Sequence, residues 1–517
     1  MSHHRALQLH EVLTLIFEHI HPGGKDEDSL RVVDRFDNYS ALARSAQVCK
    51  TFSEPALQVL WTSIPTFAIL VRLLSCCHRT ELEILNDNGF WARPPRYAYV
   101  LRGRIQPAEW ARFQYYTRFV RRCREDPDTA VIDPSVYAYL FRYNDAKPLF
   151  AGLQHVHFSQ EHANDTSLLA FLTPSLHHLT FQILTIEDQK HGIDPLVTDY
   201  ALETLLSEVV STATSLEELT LVGVRHWQSV APLVNCQELQ HLSLYDTSPI
   251  GKSMRDVLSI LTHIPRLRSL EIQCNRAMCS QDHRGGRLCF PHLTKLVAGG
   301  FEDSVGLLFA NTTLPRLQTL RLALEFREQE SIIGRFIRDS NLADIAPELR
   351  SLCFTTRSWS PTATPEGAIS LLDLFKPLLA LKQIHEFMFS PRLIRPHFSD
   401  DDACQITEAW PKLRKFWLEI APSSVRPSLH TLLLFAQNCP DLEKLSIPSI
   451  RHIGDLPETT ALHSHRLVTL DVYIHGVDRE RLNHFLSSLF PLARKVMQER
   501  DLSTLTMALL NGEEIPE

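Results

Sequence analysis

The chain has 517 residues, 44% hydrophobic and 22% charged, with a net charge of −8. This is globular composition. The acidic balance excludes a protein drawn to polyanions by bulk charge, and no run reaches the ~20 apolar residues of a membrane-spanning helix. The eleven cysteines are odd in number and scattered through apolar stretches, as at Cys49, Cys236 and Cys353. They read as reduced, mostly buried thiols of a cytoplasmic or nuclear protein.

Leu9, Val12, Leu13, Ile16, Phe17 and Ile20 recur at helical spacing and give one broad apolar face. Glu11 and Glu18 interrupt the run, so it does not read as a signal peptide, and Pro22-Gly23-Gly24 ends the helix. After an acid-rich loop, a second helix is predicted beyond Ser40, through Cys49 to Phe52. Ser53-Glu54-Pro55 reads as the start of a third, with Ser53 as cap and Pro55 in the first turn. That helix presents Leu57, Leu60 and Trp61. So short a segment buries little surface alone. Its leftover apolar face needs cover from the rest of the chain or from another protein, with Leu60 and Trp61 as the expected anchor.

Leu7-x-Leu9-x-Glu11-Val12-Leu13-x-x-Ile16-Phe17, a spacer, and Val48-Cys49-Lys50-x-Phe52-x-x-Pro55-Ala56-Leu57-x-x-Leu60-Trp61 together resemble an F-box, in the form common among fungal F-box proteins. The segment departs from the family at His10, where proline is usual, and in a longer spacer over residues 21–39. The resemblance implies a three-helix unit over residues 1–61 that docks on a Skp-type adaptor, and through it on a cullin and a ubiquitin-transferring enzyme. The adaptor-binding residues it implies are Leu9, Val12, Leu13, Ile16, Phe17, Val48, Cys49, Phe52, Pro55, Leu60 and Trp61.

Residues 62–150 read as linker helices and first irregular repeats. Phe90–Ile105 is expected to hold the first strand of a repeat array. Glu109–Arg122 reads as a helix with Trp110, Phe113, Tyr116 and Val120 inward. This order is also similar to fungal F-box proteins that carry leucine-rich repeats.

Over residues 151–478 the pattern L-x-x-L-x-apolar recurs twelve times. It starts at Leu153, Leu176, Leu216, Leu239, Leu267, Leu293, Leu317, Leu349, Ile384, Leu413, Leu442 and Leu467, at intervals of 23 to 40 residues. The first, fourth and sixth positions point inward where the chain forms a short strand. Helical stretches lie between, for example Asp199–Leu219 with Leu202, Leu205, Leu206 and Val209 on one face. A strand and a helix every ~25 residues is an α/β arrangement that resembles leucine-rich repeats: an irregular solenoid, or horseshoe, with a parallel sheet on its concave side. The interval from Leu176 to Leu216 leaves room for a degenerate repeat or an insertion. Residues 479–517 are expected to supply a closing helix and tail.

Several features bear on chemistry. Trp91–Arg124 holds nine arginines, one acid and eight aromatics. That mixture suits single-stranded nucleic acid, but an amphipathic helix with buried rings explains it better, and nucleic acid is not the expected partner. Cys274, Cys279, His283, Cys289 and His292 lack regular zinc spacing. Gly251-Lys252-Ser253 is not a phosphate loop, because Asp246 stands where the upstream glycine is required. The 25 histidines read as surface or satisfied core residues. No catalytic constellation is present, so the expectation is a protein that is not an enzyme and needs no cofactor. The outward positions of the repeat strands are the candidate target-binding residues: Tyr245, Arg321, Lys415, Trp417 and Tyr473, with Glu419 beside them. Two functions follow. One is the target-recruiting subunit of a Skp-cullin-F-box ubiquitin ligase. The other is a non-catalytic repeat scaffold, similar in architecture to ribonuclease inhibitors, whose N-terminal helices only cap the array.

Overall fold

The computed structural model describes residues 9–20, 32–82, 96–125, 131–160, 165–183, 195–224, 227–247, 254–274, 286–326, 336–338, 340–358, 370–391, 396–420, 425–451, 465–475 and 479–496. They divide into two compact units, residues 1–250 with 263–267 and residues 251–262 with 268–517.

The first unit opens with three helices, α1 (His10–Glu18), α2 (Val32–Val48) and α3 (Lys50–Thr62). Leu13, Phe17, Leu42, Ala56 and Val59 close a small core of their own, against which Ile20, Ala46, Phe52 and Leu60 pack. The break between the second and third helices falls at Cys49, which is extended at φ −159° and ψ 166°. It does not fall at Ser53, whose N–H already donates to the Cys49 carbonyl at 3.0 Å. The reason is packing. Phe52, Ala56 and Val59 follow helical spacing, and Phe52 must reach the edge of Phe17, 5.7 Å away. A helix starting at Ser53 would leave Phe52 off that stripe. Pro55 therefore lies inside the helix, buried, with no N–H to give the Thr51 carbonyl.

α3 runs directly into a parallel ladder of six strands: Ser63–Ile64, Arg122–Glu125, His155–Gln160, His178–Ile183, Glu218–Val222 and His241–Thr247. The register aligns Cys123, Val156, Leu179, Leu219 and Leu242 in one buried row. The ladder thus begins at Ser63, not within Phe90–Ile105. Arg96–Leu101 pairs instead with Cys77–Leu82 and Val131–Ile132 in a separate small sheet. Its pairing with Cys77–Leu82 is antiparallel, whereas every pairing in this unit's ladder is parallel. Between them, α4 (Ala68–Val71), α5 (Pro107–Thr117) and α6 (Pro134–Tyr143) pack behind the first strands. Phe67 centres this layer on Phe113, Tyr137, Phe150 and Phe171, and its N–H donates to the buried Glu125 carboxylate at 2.7 Å. On α5 only Phe113 of the four predicted inward residues is buried within the helix. Trp110 and Tyr116 are half-buried, and Val120 is buried just beyond its end. His178–Ile183 pairs directly with Glu218–Val222. The long interval is therefore an insertion into the ladder, carrying the helix Pro195–Thr212, with no further ladder strand among the described residues.

The second unit continues the same construction with nine parallel strands: Ser269–Cys274, Lys295–Phe301, Thr319–Phe326, Ser351–Ser358, Glu386–Ser390, Lys415–Leu418, Lys444–Arg451, Thr469–His475 and Arg494–Val496. Leu270, Leu296, Leu320, Leu352, Phe387, Phe416, Leu445 and Leu470 fall in one row. The last strand is a further rung beyond the closing helix Arg479–Leu489, which buries Leu482, Phe485, Leu486 and Leu489.

Across both units the first, fourth and sixth positions of all twelve repeats are buried. Each Leu or Phe so placed contributes ~1.5–3 kcal/mol. These are leucine-rich repeats by construction. Behind the sheet of the second unit, Asp402 joins consecutive repeats. Its carboxylate accepts from Ser370 Oγ and Leu372 N–H, at the start of the helix Leu371–Phe375, and from the Ser399 N–H and Oγ that cap its own helix, Asp400–Ala409. Asp400 reaches the other way, accepting from Ser428 N–H and Thr431 Oγ1 beside the helix His430–Asn438.

The nine cysteines whose side chains are described are free thiols, but only Cys76, Cys123, Cys236 and Cys439 are buried, so among them the expectation of mostly buried thiols fails. Burial pushes Cys236 up to about 11 and Cys439 up to about 12. Among the described residues no three His, Cys, Asp or Glu side chains are placed to hold a metal ion. Cys279, His283 and Gly251-Lys252-Ser253 lie outside the described residues. No described helix is long and apolar enough to cross a membrane.

Candidate docking surfaces

α1 cannot turn one stripe both to its own core and to a partner. Leu13 and Phe17 face inward, and Val12 is half-buried at the margin. Leu9 and Ile16 point to solvent at 53% and 42% exposure, joined by Leu15 at 59%. At the α2–α3 corner Val48 is 68% exposed, and Cys49 is exposed beside it. Seven large aliphatic side chains are exposed among the described residues, and these three helices carry four of them; Val425, Val468 and Leu492 are scattered elsewhere. A small unit that closes its own core yet leaves four such groups in water has a surface suited to a partner. His10 Nε2 lies 3.2 Å from Gln58 Oε1, which ties the start of α1 to α3.

The other side of α3 belongs to the array. Trp61 stacks on Tyr116 with ring centres 4.5 Å apart and planes 22° from parallel. Arg118 pairs with Glu54 at 2.9 Å. The Thr62 carbonyl accepts from Arg121 N–H at 2.9 Å. Of the eleven candidate docking residues, then, Leu9, Ile16, Val48 and Cys49 are exposed. Val12, Phe52 and Leu60 are half-buried, Leu13, Phe17 and Pro55 are buried, and Trp61 faces the first repeats. Leu15 was missed because it breaks the helical stripe; its exposure is visible only once Leu13 and Phe17 are seen inside.

The open face of the first ladder is rich in histidine. His155 stacks on His178 with ring centres 4.2 Å apart, and His178 Nδ1 lies 2.9 Å from Glu218 Oε2. Burial, with His178, Arg122 and His177 nearby, holds His155 down at about 4, against the pull of Glu218. Tyr245 lies half-buried on the same face.

On the open face of the second unit three rows run across the strands. One aligns Ser351, Glu386, Lys415 and Lys444. The next aligns Arg321, Cys353, Met388, Trp417, Ser446 and Asp471. A third contains Thr355 and Ser390, with Glu419 following. In the first row Lys415 Nζ lies 2.7 Å from Glu386 Oε1, and Ser351 Oγ donates to Glu386 Oε2 at 3.0 Å. Burial works to raise the Glu386 carboxyl, but the bonds from Lys415 and Ser351 and the charge of Arg321 hold it below its ordinary value. In the third row Ser390 Oγ donates to Glu419 at 2.9 Å. The middle row presents Met388 and Trp417, half-buried, with Cys353 Sγ 3.5 Å from Met388 Sδ. Burial pushes the Cys353 thiol up, opposed by the Arg321 charge. Tyr473 is 43% exposed on the strand that carries Asp471. Of the five candidate target-binding residues, Arg321, Lys415 and Trp417 share neighbouring rows of the second unit, Tyr473 lies further along it, and Tyr245 belongs to the first.

The chain matches no protein-family model and no curated protein sequence. Among solved structures it is similar to a chain of the yeast Rad7–Elc1 complex, at 14% identity over 68% of this chain and 90% of that one, with a TM-score of 0.31. It is similar to an internalin of Listeria monocytogenes, at 13% identity over 71% and 96%, with a TM-score of 0.33. A leucine-rich-repeat protein of Leptospira interrogans shows 11% identity over 75% and 92%, with a TM-score of 0.28. At such values these likenesses assign no function; the repeat fold rests on the ladder registers themselves.

Proposed function

We propose that this chain is a non-catalytic receptor subunit that docks through its N-terminal helices on a Skp-type adaptor, and through it on a cullin, while its repeats hold a target protein. The supporting observation is the group of Leu9, Leu15, Ile16 and Val48, exposed on helices whose own core is already closed. Such a protein works by positioning: it raises the effective concentration of the target beside the ubiquitin-transfer machinery and supplies no chemistry itself. The F-box resemblance supplies the identity of the adaptor; the exposed aliphatic surface supplies a physical reason for it to bind.

The test is co-purification of the full chain with a Skp-type adaptor, followed by titration of Ile16→Asp and Val48→Asp. Loss of more than ~2 kcal/mol, about thirtyfold, is expected for a desolvated anchor replaced by a charge. Trp61→Ala should weaken adaptor binding much less, since the indole lies on Tyr116. Full binding by both Asp variants would sink the proposal.

A second function is favoured by that same stack and by the Arg121–Thr62 backbone bond. There the helices cap the array, and the chain is a repeat scaffold with no adaptor. In that case neither Asp variant has a partner to lose.

A further inference from the structure

On the open face of the second unit, the carboxylates of the two flanking rows are held within those rows. Glu386 is held by Lys415 and Ser351, and Glu419 by Ser390. The middle row between them is different. Met388 and Trp417 offer a soft, polarizable surface, and the Trp417 indole N–H has no hydrogen-bond partner among the described residues. Thioether and indole together make an adaptable apolar seat. Toward one end of the row stands Arg321, exposed and in no ion pair among the described residues. Toward the other end stands Asp471, which accepts from Ser446 Oγ at 3.4 Å. Lys444 stands one strand before it in the neighbouring row. Beyond Arg321 the row continues through Val297 to Glu271, two strands away, so Arg321 is the exposed cation that this part of the row offers to a ligand.

We infer that this row is a docking strip for an extended peptide that carries a carboxylate residue and, three or four positions away, a large apolar residue. The spacing comes from sheet geometry. Neighbouring strands are ~4.8 Å apart, so the strand of Arg321 lies roughly 12 Å from the midpoint between those of Met388 and Trp417, about three or four residues of extended chain. The apolar side chain sits on Met388 and Trp417, and the carboxylate meets the Arg321 guanidinium, whose planar fork suits it. The chain as a whole is acidic, so general charge attraction does not recruit such a peptide, and local complementarity must. The strip rests on the reading of the repeats as a target-binding surface and owes nothing to the adaptor.

The test uses the full chain and labelled nine-residue peptides in a Gly/Ser background, followed by fluorescence anisotropy. One probe carries Asp three positions before Phe, a second Lys in place of Asp, and a third Ser in place of Phe. Wild-type protein is expected to prefer the Asp–Phe probe over the Lys–Phe probe by about tenfold and to discriminate against the probe without Phe. Arg321→Glu should invert the charge preference, and Trp417→Ala should weaken both Phe probes by about tenfold or more, while Trp417→Phe retains them. Melting curves of each variant check that the ladder is intact. Equal binding of the Asp and Lys probes, an unchanged preference in Arg321→Glu, full binding by folded Trp417→Ala, or no binding of any probe at about 1 mM overturns the inference. The Arg321 and Trp417 variants should bind a Skp-type adaptor as wild type does. Failed probes with an intact adaptor interaction would remove the strip alone, and a failed adaptor interaction with bound probes would remove the docking function alone.

Discussion

The N-terminal helices and the repeat ladders use apolar residues in opposite ways. In the ladders every first, fourth and sixth repeat position is buried, and outward positions are mostly polar or paired. In the helices five residues form the buried core, while Leu9, Leu15, Ile16 and Val48 stand in water. A ladder strand is flanked on both sides by identical construction, so its inward row is always covered. A three-helix unit has no such neighbours, and part of its surface stays open. Unspent apolar area is therefore concentrated at one end of the sequence, although the ladders hold far more apolar residues in total.

The largest expected effect lies in the ladders. Phe387 touches Phe375, Trp410 and Phe416, and Phe387→Ala should destabilise the second unit by about 3–5 kcal/mol in urea unfolding. A value below 1 kcal/mol would mean that this row is not close-packed. Leu13→Ala, in the small helical core, should cost about 2–4 kcal/mol locally. Hydrogen exchange should then show α1 and α3 losing protection while strand Lys295–Phe301 keeps it. Ile16→Asp on the same helix should leave that protection unchanged; equal losses would erase the distinction between core and open face. Asp402→Ala should cost about 2–3 kcal/mol, because it removes a cap and leaves buried donors unmet. Asp402→Asn, which keeps one acceptor oxygen, should recover part of that loss.

The smallest effect is one of pH. His155 is neutral in both folded and unfolded chains above its ordinary value of 6.5, so full stability is present there. As the pH falls below 6.5 the unfolded chain takes up the proton first, and the folded protein follows only near about 4. Stability is lost across that window. The melting midpoint should fall between pH 7 and pH 5 by less in His155→Gln than in wild type, and an identical fall would show that His155 is not held neutral by its surroundings.

The repeats were legible in the sequence because their period is written in the residues that fill the core. Twelve starts predicted twelve strands, and the alternation inside each strand gave its inward side. The places where reading stopped short have a common cause. Ser63–Ile64 is too short to carry a period, so the first rung went unseen. The helix break at Cys49 is set by where Phe52 must meet Phe17, and the orientation of Trp61 by Tyr116, a residue far along the chain. Nor does Ser53-Glu54-Pro55 lack helix-start chemistry; tertiary packing overrides it. The candidate site was half legible. Residue types gave the apolar face of α1, but only the folded unit separates Leu13 and Phe17 from Leu9 and Ile16.

The direct passage of α3 into Ser63–Ile64, with the Thr62 carbonyl bonded to Arg121 N–H, has a mechanical meaning. The helices are joined to the first rung by a tether of zero length, clamped by backbone hydrogen bonds and by the Trp61–Tyr116 stack. A flexible tether spreads whatever it carries through a volume that grows with its length, and so samples many distances. This joint behaves as a lever: anything gripped by α1 and α2 imposes a fixed heading on the first rungs. If those helices dock, reach is set by angle, and one residue inserted after Thr62 should redirect the first rungs rather than slacken them.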